Sequence, residues 1–169
     1  MPALPLIIGP DPVFRKKAEK VLVVDEATHQ LVSDMFDTLY AENGAGIGAN
    51  MVGVLKRVIV IDLKEGGHKT PLAMINPEVV EKSEETQIFE EASLSFPGIS
   101  ADIERARSIK IRYLDENGAP AELAAEGFLS TVIQHEMDYL DGKTYLDHLS
   151  RVKRDALMRK YKKMQRASE

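Results

Sequence analysis

The residues best suited to chemistry are His135 and Glu136, which follow an apolar run over residues 128–133. This pattern predicts one helix that begins with the apolar run and ends near Gly142. On a helix, residues four apart share a face, so a His-Glu-x-x-His motif can aim two imidazoles at one metal ion while its Glu acts on a bound water. Tyr139 stands where the second His would be. The sequence therefore predicts a helix face arranged like a metal site but lacking one imidazole.

Length and composition narrow the class of protein. The chain has 169 residues, of which 44% are hydrophobic and 29% charged, which predicts one globular domain with its own core. No apolar run approaches about 18 residues, and no basic segment followed by an apolar one opens the chain, so neither a membrane span nor a secretory signal is expected. There is no cysteine, which excludes disulfides and thiolate chemistry. We expect a cytoplasmic protein.

Local signals predict the surrounding elements. Asp25 is a candidate N-cap for a helix over about 26–43, which Asn43-Gly44 would end. Residues 116–118 predict a hairpin turn, and the acidic stretch 81–91 predicts a mostly solvated face. Strands are expected over residues 21–24, 54–63, 72–80, 108–115 and 121–125. Asn76-Pro77 interrupts one of them, which predicts an edge strand or a bulge.

The segment 44–53 carries four glycines in ten residues. Such a density indicates unusual backbone angles or a close approach of a ligand to the main chain. The lysine and hydroxyl of a phosphate-binding loop are absent, and no strand leads directly into the segment, so it is not a phosphate loop. A tight turn between a helix and a strand remains the other interpretation.

The segment 151–169 has a different charge from the rest of the chain. It contains eight basic and two acidic residues, or +6, which leaves −11 on the remaining residues of a chain whose net charge is −5. Leu157, Tyr161 and Met164 lie on one face, which predicts an amphipathic basic helix. This helix could be a solvated terminal element packed by its apolar stripe, or it could contact an anionic surface such as RNA.

Three stretches of the chain resemble, in order and spacing, the motifs of peptide deformylases. Residues 44–51 resemble the first motif, G-x-G-φ-A-A-x-Q, residues 91–95 resemble E-G-C-L-S, and residues 134–139 resemble Q-H-E-x-D-H. The resemblance covers essentially the whole chain. It implies a single α+β domain over residues 1–169, with small antiparallel sheets around a central helix that carries the third motif and with a C-terminal helix.

The resemblance also implies an activity, the removal of the N-formyl group from the formylmethionine of nascent peptides. In that family the Cys of the second motif and both His residues of the third hold an iron or zinc ion. The ion lowers the pKa of a bound water, and the adjacent Glu moves the proton. The Gln of the first motif and the backbone amide of the Leu in the second stabilise the oxyanion.

Several of these positions are substituted in this chain. Of the ligands, His135 is present, but Ser93 replaces the Cys and Tyr139 replaces the second His. A serine hydroxyl stays protonated near pH 7, and tyrosine has a reference pKa of about 10, so both are poor ligands. Among the catalytic positions, Glu136 and the backbone of Leu94 remain, but Met51 replaces the Gln. We therefore expect no metal cofactor, and Fe²⁺ or Zn²⁺ only if the site is active.

The resemblance further implies an apolar pocket for the methionine side chain of the substrate. In this chain its lining would consist of small or apolar residues together with the metal-site histidine: Gly44, Ala45, Gly46, Phe128, Thr131, Val132 and His135. Main-chain pairing of a peptide needs no particular side chains, so the groove could persist without the chemistry.

Three functions remain open. The first is a pseudo-deformylase that binds nascent peptides, and the ribosome or RNA through the basic helix, with catalysis lost or strongly reduced. The second is an active metal-dependent deformylase with an atypical site. The third uses Ser93 as nucleophile and His135 as base, although the sequence shows no orienting partner for the imidazole. Without a metal, Glu136 could bond to backbone near Ser93 or Leu94. The remaining histidines, His29, His68 and His148, are expected at the surface without partners.

Overall fold

The computed structural model describes residues 3–168, and within that range the fold contains three α-helices and seven strands. The helices are α1 (Glu26–Ala41), α2 (Phe128–Leu140) and α3 (Arg151–Ala167). The strands are β1 (Gly46–Gly48), β2 (Val58–Ile61), β3 (Leu72–Lys82), β4 (Thr86–Ser93), β5 (Phe96–Ala106), β6 (Ser108–Leu114) and β7 (Pro120–Glu126). In this part of the chain, no helix combines the length and apolarity needed to cross a membrane.

The strands form two antiparallel sheets. One has five strands in the order β1-β2-β3-β6-β7, and the other is the β4-β5 hairpin. Helix α2 packs against β1, β2 and β7 of the first sheet and against β5 of the second. The predicted α+β fold, with small antiparallel sheets around the motif-bearing helix and a C-terminal helix, is confirmed.

Helix α2 is bounded by two glycines in the left-handed region, Gly127 with φ of 65° and Gly142 with φ of 75°. At Gly142 a Cβ atom would lie 2.9 Å from the carbonyl oxygen of Arg15, so a side chain there would also meet the chain that crosses the helix end. Between them, Ile133, Tyr139 and Leu140 have no exposed surface. The helix is therefore fixed by burial on most of its circumference.

Helix α1 agrees with its predicted bounds. The Asp25 side chain accepts a hydrogen bond from the Thr28 backbone N–H at 3.1 Å, which caps the first turn. The helix ends at Ala41, and Asn43 adopts a left-handed φ of 55°.

The strand predictions hold best at the hairpin of β6 and β7, where the Gly118 N–H donates to the Asp115 carbonyl at 3.0 Å. In β3 the predicted bulge is present, because Asn76 has φ of 53° and the register with β6 shifts between Ile75 and Glu78. The alternative of an edge position is wrong, since β3 pairs with both β2 and β6. Strand β2 is shorter than the predicted 54–63.

One strand prediction fails. Residues 21–24 form a bend, in which the Val21 N–H and carbonyl bond to the side chain of Asn76 rather than to another strand, each at 2.9 Å. Leu22 and Val23 are exposed, so the apolar run buries little surface. Strands β1 and β5 have no counterpart among the predicted strands. The acidic stretch 81–91 is largely exposed as expected, except for Glu91, which is 5% exposed.

Helix α3 forms the predicted amphipathic element, although residue 169 lies outside the described residues. Tyr161 anchors it: the ring is fully buried, packs against Phe96 at 5.5 Å between centroids, and its hydroxyl donates to the Gly9 carbonyl at 2.6 Å. The basic side chains lie mostly on the exposed face. The charge of this segment is therefore presented to solvent.

Candidate functional site

A cavity of about 230 Å³ lies between β1, the end of β4 and α2. It gathers every site residue predicted from the sequence except Tyr139. The small, apolar or hydroxyl-bearing part of its lining is Gly44, Ala45, Gly46, Met51, Ala92, Ser93, Leu94, Phe128, Thr131 and Val132. The ionisable part is Glu90, Glu91, His135 and Glu136.

The glycines of the first motif allow β1 to lie against α2. A Cβ on Gly46 would lie 3.1 Å from Cγ of Glu136 and 3.2 Å from Cγ1 of Val132. A Cβ on Gly44 would lie 2.5 Å from a methyl carbon of Leu94. The sequence predicts that a ligand approaches the main chain here, but at Gly44 and Gly46 the approaching groups are side chains of the protein, and this packing brings Glu136 beside the edge strand β1.

The two substituted ligand positions are bonded to each other. The hydroxyls of Ser93 and Tyr139 are 2.5 Å apart, and the Ser93 oxygen also accepts from the Ser95 backbone N–H at 3.1 Å. Tyr139 has no exposed surface, and burial raises the pKa of its phenol still further above the ordinary value. A phenolate at this position is therefore unfavourable.

These donors do not fit the iron or zinc ion that the resemblance implies. Between residues 3 and 168 there is no group of three or more His, Asp or Glu side chains placed to hold a metal ion. The three positions that hold the metal in the family carry one imidazole and two protonated hydroxyls here. The two hydroxyls are hydrogen-bonded to each other. Soft thiolate and paired imidazole ligands, which suit zinc and ferrous iron, are missing.

His135 is held in place by groups that the sequence analysis did not identify. Its Nδ1 donates to Oε1 of Glu91 at 2.7 Å, and its ring stacks on Tyr145 with centroids 5.5 Å apart. The prediction that His135 lacks an orienting partner is therefore wrong. Burial disfavours the charged ring, but the hydrogen bond to Glu91 and the charge of Glu136 outweigh it and raise the pKa of His135.

Glu91 belongs to a buried ion network that extends away from the cavity. Arg105 donates to both of its carboxylate oxygens, at 2.7 and 2.9 Å, and to Asp138 at 3.0 Å. His148 lies 2.8 Å from the same Asp138 oxygen, so the prediction that this histidine lacks a partner is wrong. Although burial alone would raise the pKa of Glu91, hydrogen bonds from His135 and Arg105 lower it. The second motif's glutamate is thus a paired anion that joins β4 to α2.

Glu136 is the least satisfied polar group of the site. It is 2% exposed, its Oε1 has no hydrogen-bond partner in the described part of the chain, and its nearest cationic atom is Nε2 of His135 at 3.9 Å. Burial raises the pKa of Glu136 to about 7. The hydrogen bond to backbone near Ser93 or Leu94 that the sequence suggested is not formed.

Two further arrangements bear on catalysis. The sulfur of Met51 accepts from the Gly48 N–H at 3.4 Å and offers no donor to an oxyanion. In the described residues no hydrogen bond joins Ser93 to His135, because the Ser93 hydroxyl is paired with Tyr139. A serine nucleophile activated by His135 is therefore not assembled.

Comparisons with known proteins agree on one family. The sequence model described as Polypeptide deformylase matches residues 3–155. A protein of Rickettsia conorii named peptide deformylase-like is 51% identical over 94% of this chain and 87% of its own length. A peptide deformylase of Xylella fastidiosa is 47% identical over 98% of both chains. The crystal structure of peptide deformylase from Ehrlichia chaffeensis superposes with a TM-score of 0.93 at 36% identity, covering 98% of both chains.

Proposed function

Because the chain belongs to the polypeptide deformylase family, we propose that it binds the N-terminal methionine segment of nascent peptides in this cavity without hydrolysing a formyl group. The observation that carries the proposal is the hydrogen bond between Ser93 and Tyr139. It joins the two positions at which a metal ligand would be needed, and it leaves His135 as the one remaining donor of the family's ligand set.

Peptide binding is supported by the shape and lining of the cavity. The walls are formed by small and apolar residues, including Ala45, Leu94 and Val132, which suit an unbranched apolar side chain. Strand β1 lies at the edge of the five-stranded sheet and has a strand partner on one side only, so a peptide that adds as a further strand would pair with its other side. Neither feature depends on a metal ion.

Loss of hydrolysis is supported by the chemistry of the substituted positions. Without a thiolate or second imidazole, no bound ion is available to activate a water at neutral pH. Met51 adds an independent defect, because loss of one oxyanion donor typically lowers kcat about 10²–10³-fold.

The second candidate is an active deformylase, and the names of the relatives favour it. The Xylella fastidiosa relative at 47% identity is named a peptide deformylase. In this case His135 and water would have to hold Fe²⁺ or Zn²⁺, with Glu136 as the proton carrier. The name of the Rickettsia conorii relative, peptide deformylase-like, is neutral between the two candidates.

A contact with the ribosome or RNA through α3 is a further part of the proposal. The segment 151–169 carries +6 against −11 elsewhere, and its basic side chains are mostly exposed. An RNA backbone would attract this helix and repel the rest of the chain.

The two candidates are separated by two measurements on the same purified protein. Elemental analysis should show less than about 0.1 iron, zinc or nickel per chain. Hydrolysis of formyl-Met-Ala-Ala should be at least about 10³-fold below that of an ordinary deformylase assayed in parallel, with or without added metal. Calorimetry should still detect binding of a Met-initiated tripeptide. Robust turnover with added metal would establish the second candidate.

A further inference from the structure

We infer that the cavity prefers peptides whose N-terminal amine is free and charged over peptides that still carry a formyl group. This inference rests on the proposed function and specifies its ligand. A free amine is the state of the peptide after deformylation, so the protein would recognise the product of the reaction that its relatives are named for.

The first argument is the charge of the cavity lining. Three of its ionisable residues are acidic, namely Glu90, Glu91 and Glu136, and the only basic one in the lining of this cavity is His135. The rest of the wall is apolar or neutral. The cavity therefore matches a ligand that combines an apolar side chain with an adjacent cation, which describes an N-terminal methionine with a free ammonium group.

The second argument is a charge count over the buried cluster beneath the cavity. The cluster contains the carboxylates of Glu91, Glu136 and Asp138 against the cations of Arg105 and His135. The three carboxyl groups outnumber the two cationic side chains by one, and Glu136 is the carboxyl group that accepts no hydrogen bond from either cation. His148 lies 2.8 Å from the Asp138 oxygen that also accepts from Arg105, and its side chain is 39% exposed, so it is a neighbour of Asp138 and not of Glu136. Burial without such a hydrogen bond disfavours the ionised form of Glu136, and a ligand cation beside it would stabilise that form.

The third argument identifies the group that would receive the cation. Glu91 is fully paired with Arg105 and His135, and Asp138 is paired with Arg105 and His148. Of these three carboxylates, Glu136 alone has a buried oxygen without a hydrogen-bond partner in the described residues, and the residue is 98% buried. An ammonium group offers three donors and a full charge to this carboxylate, whereas a formamide offers one N–H and no charge.

The test is a comparison of two tripeptides, Met-Ala-Ala with a free amine and formyl-Met-Ala-Ala, titrated calorimetrically into the unmodified protein at pH 7.5. Because hydrogen bonds to charged groups are stronger than neutral ones, the free-amine peptide should bind at least about tenfold more tightly. Acetyl-Met-Ala-Ala should resemble the formyl peptide, since it also lacks the charge.

The variant Glu136→Gln, which keeps the size of the side chain, should weaken the free-amine peptide about tenfold and change the formyl peptide less than about threefold. Glu116→Gln, in the exposed turn between β6 and β7, is the matched control and should change neither. A formyl peptide that binds the unmodified protein as tightly as the free amine would overturn this inference and leave the proposed function intact. If neither peptide binds at millimolar concentration, both are wrong.

Discussion

The hydrogen bond between Ser93 and Tyr139 should behave as a structural cross-link between β4 and α2. The hydroxyls are 2.5 Å apart, Ser93 is 7% exposed and Tyr139 is fully buried. A buried neutral hydrogen bond typically contributes about 0.5–1.5 kcal/mol to stability, and an unpaired buried hydroxyl costs about 1–3 kcal/mol. We therefore expect Tyr139→Phe and Ser93→Ala each to lower the free energy of unfolding by about 1–3 kcal/mol.

The double variant should lose less than the sum of the single losses. Tyr139→Phe keeps the ring that packs edge-on against Phe14, with centroids 5.3 Å apart, so the substitution removes the hydroxyl and leaves the core filled. When both hydroxyls are removed, neither is left unpaired, and a coupling energy of about 1 kcal/mol should remain. This coupling energy is measured by urea unfolding of the parent protein, the two single variants and the double variant, with circular dichroism as the signal.

Ser130→Ala provides a control for the cycle. Ser130 is also a fully buried serine, and it donates to the Ala106 carbonyl at 3.0 Å. It lies nine residues before Tyr139 on α2, about 13 Å along the axis. Its effect should therefore add to that of Tyr139→Phe. A coupling energy below about 0.3 kcal/mol between Ser93 and Tyr139 would refute the cross-link, and so would stabilisation of the unmodified protein by added zinc or iron.

Three further predictions follow from the same structure. The triple variant Met51→Gln, Ser93→Cys, Tyr139→His should bind about one metal ion per chain and hydrolyse formyl-Met-Ala-Ala at least about 10²-fold faster than the parent protein, and a metal-loaded variant without activity would contradict the assignment of these positions. Val132→Phe should fill the cavity and weaken binding of a Met-initiated tripeptide at least about tenfold by calorimetry, whereas unchanged affinity would place the peptide elsewhere. Although burial opposes it, hydrogen bonds to the carboxylate lower the pKa of Asp62 to about 2, so it contributes stability above about pH 4 that is lost as the pH falls toward 2. Urea midpoints between pH 2.5 and 7 should show this loss in the parent and not in Asp62→Asn, and parallel curves for the two proteins would contradict it.

The local signals in the sequence were sufficient for the helices. Helix α1 begins after a capping aspartate and α2 ends at a glycine with positive φ, and both devices act within a few residues of the chain. The run at 21–24 was misleading, because its apolar residues could have formed a strand. Asn76, 55 residues away, instead satisfies the backbone of Val21. Whether residues 21–24 form a strand therefore depends on the contact with Asn76, which the periodicity of the sequence does not reveal.

At the candidate site, too, the sequence predicts local features but not contacts between residues far apart in the chain. The residues around the cavity were grouped through resemblance to known motifs, and no periodicity or spacing would have brought Gly44 beside Leu94. The sequence does not predict the pairing of His135 with Glu91, although Glu91 opens the stretch that resembles the second motif. The two residues are 44 positions apart and meet because β4 and α2 pack together. A glutamate within a mostly exposed acidic stretch gives no sign that it alone is buried.

The geometry separates two sets of interactions that hold β4 to α2. One is the ion network of Glu91, Arg105 and Asp138, which needs no metal and satisfies nearly all of its own hydrogen-bonding groups. The other is the pair at the ligand positions, where Ser93 and Tyr139 form a direct hydrogen bond. Because each set joins the same two elements, replacing metal ligands with a hydroxyl pair leaves the cavity walls in place. This is the physical basis of our proposal that the fold keeps a peptide groove and lacks the metal centre that would remove a formyl group. In the described residues, Oε1 of Glu136 has His135 as a neighbour at 3.9 Å but accepts no hydrogen bond, and under this proposal a ligand ammonium would supply one.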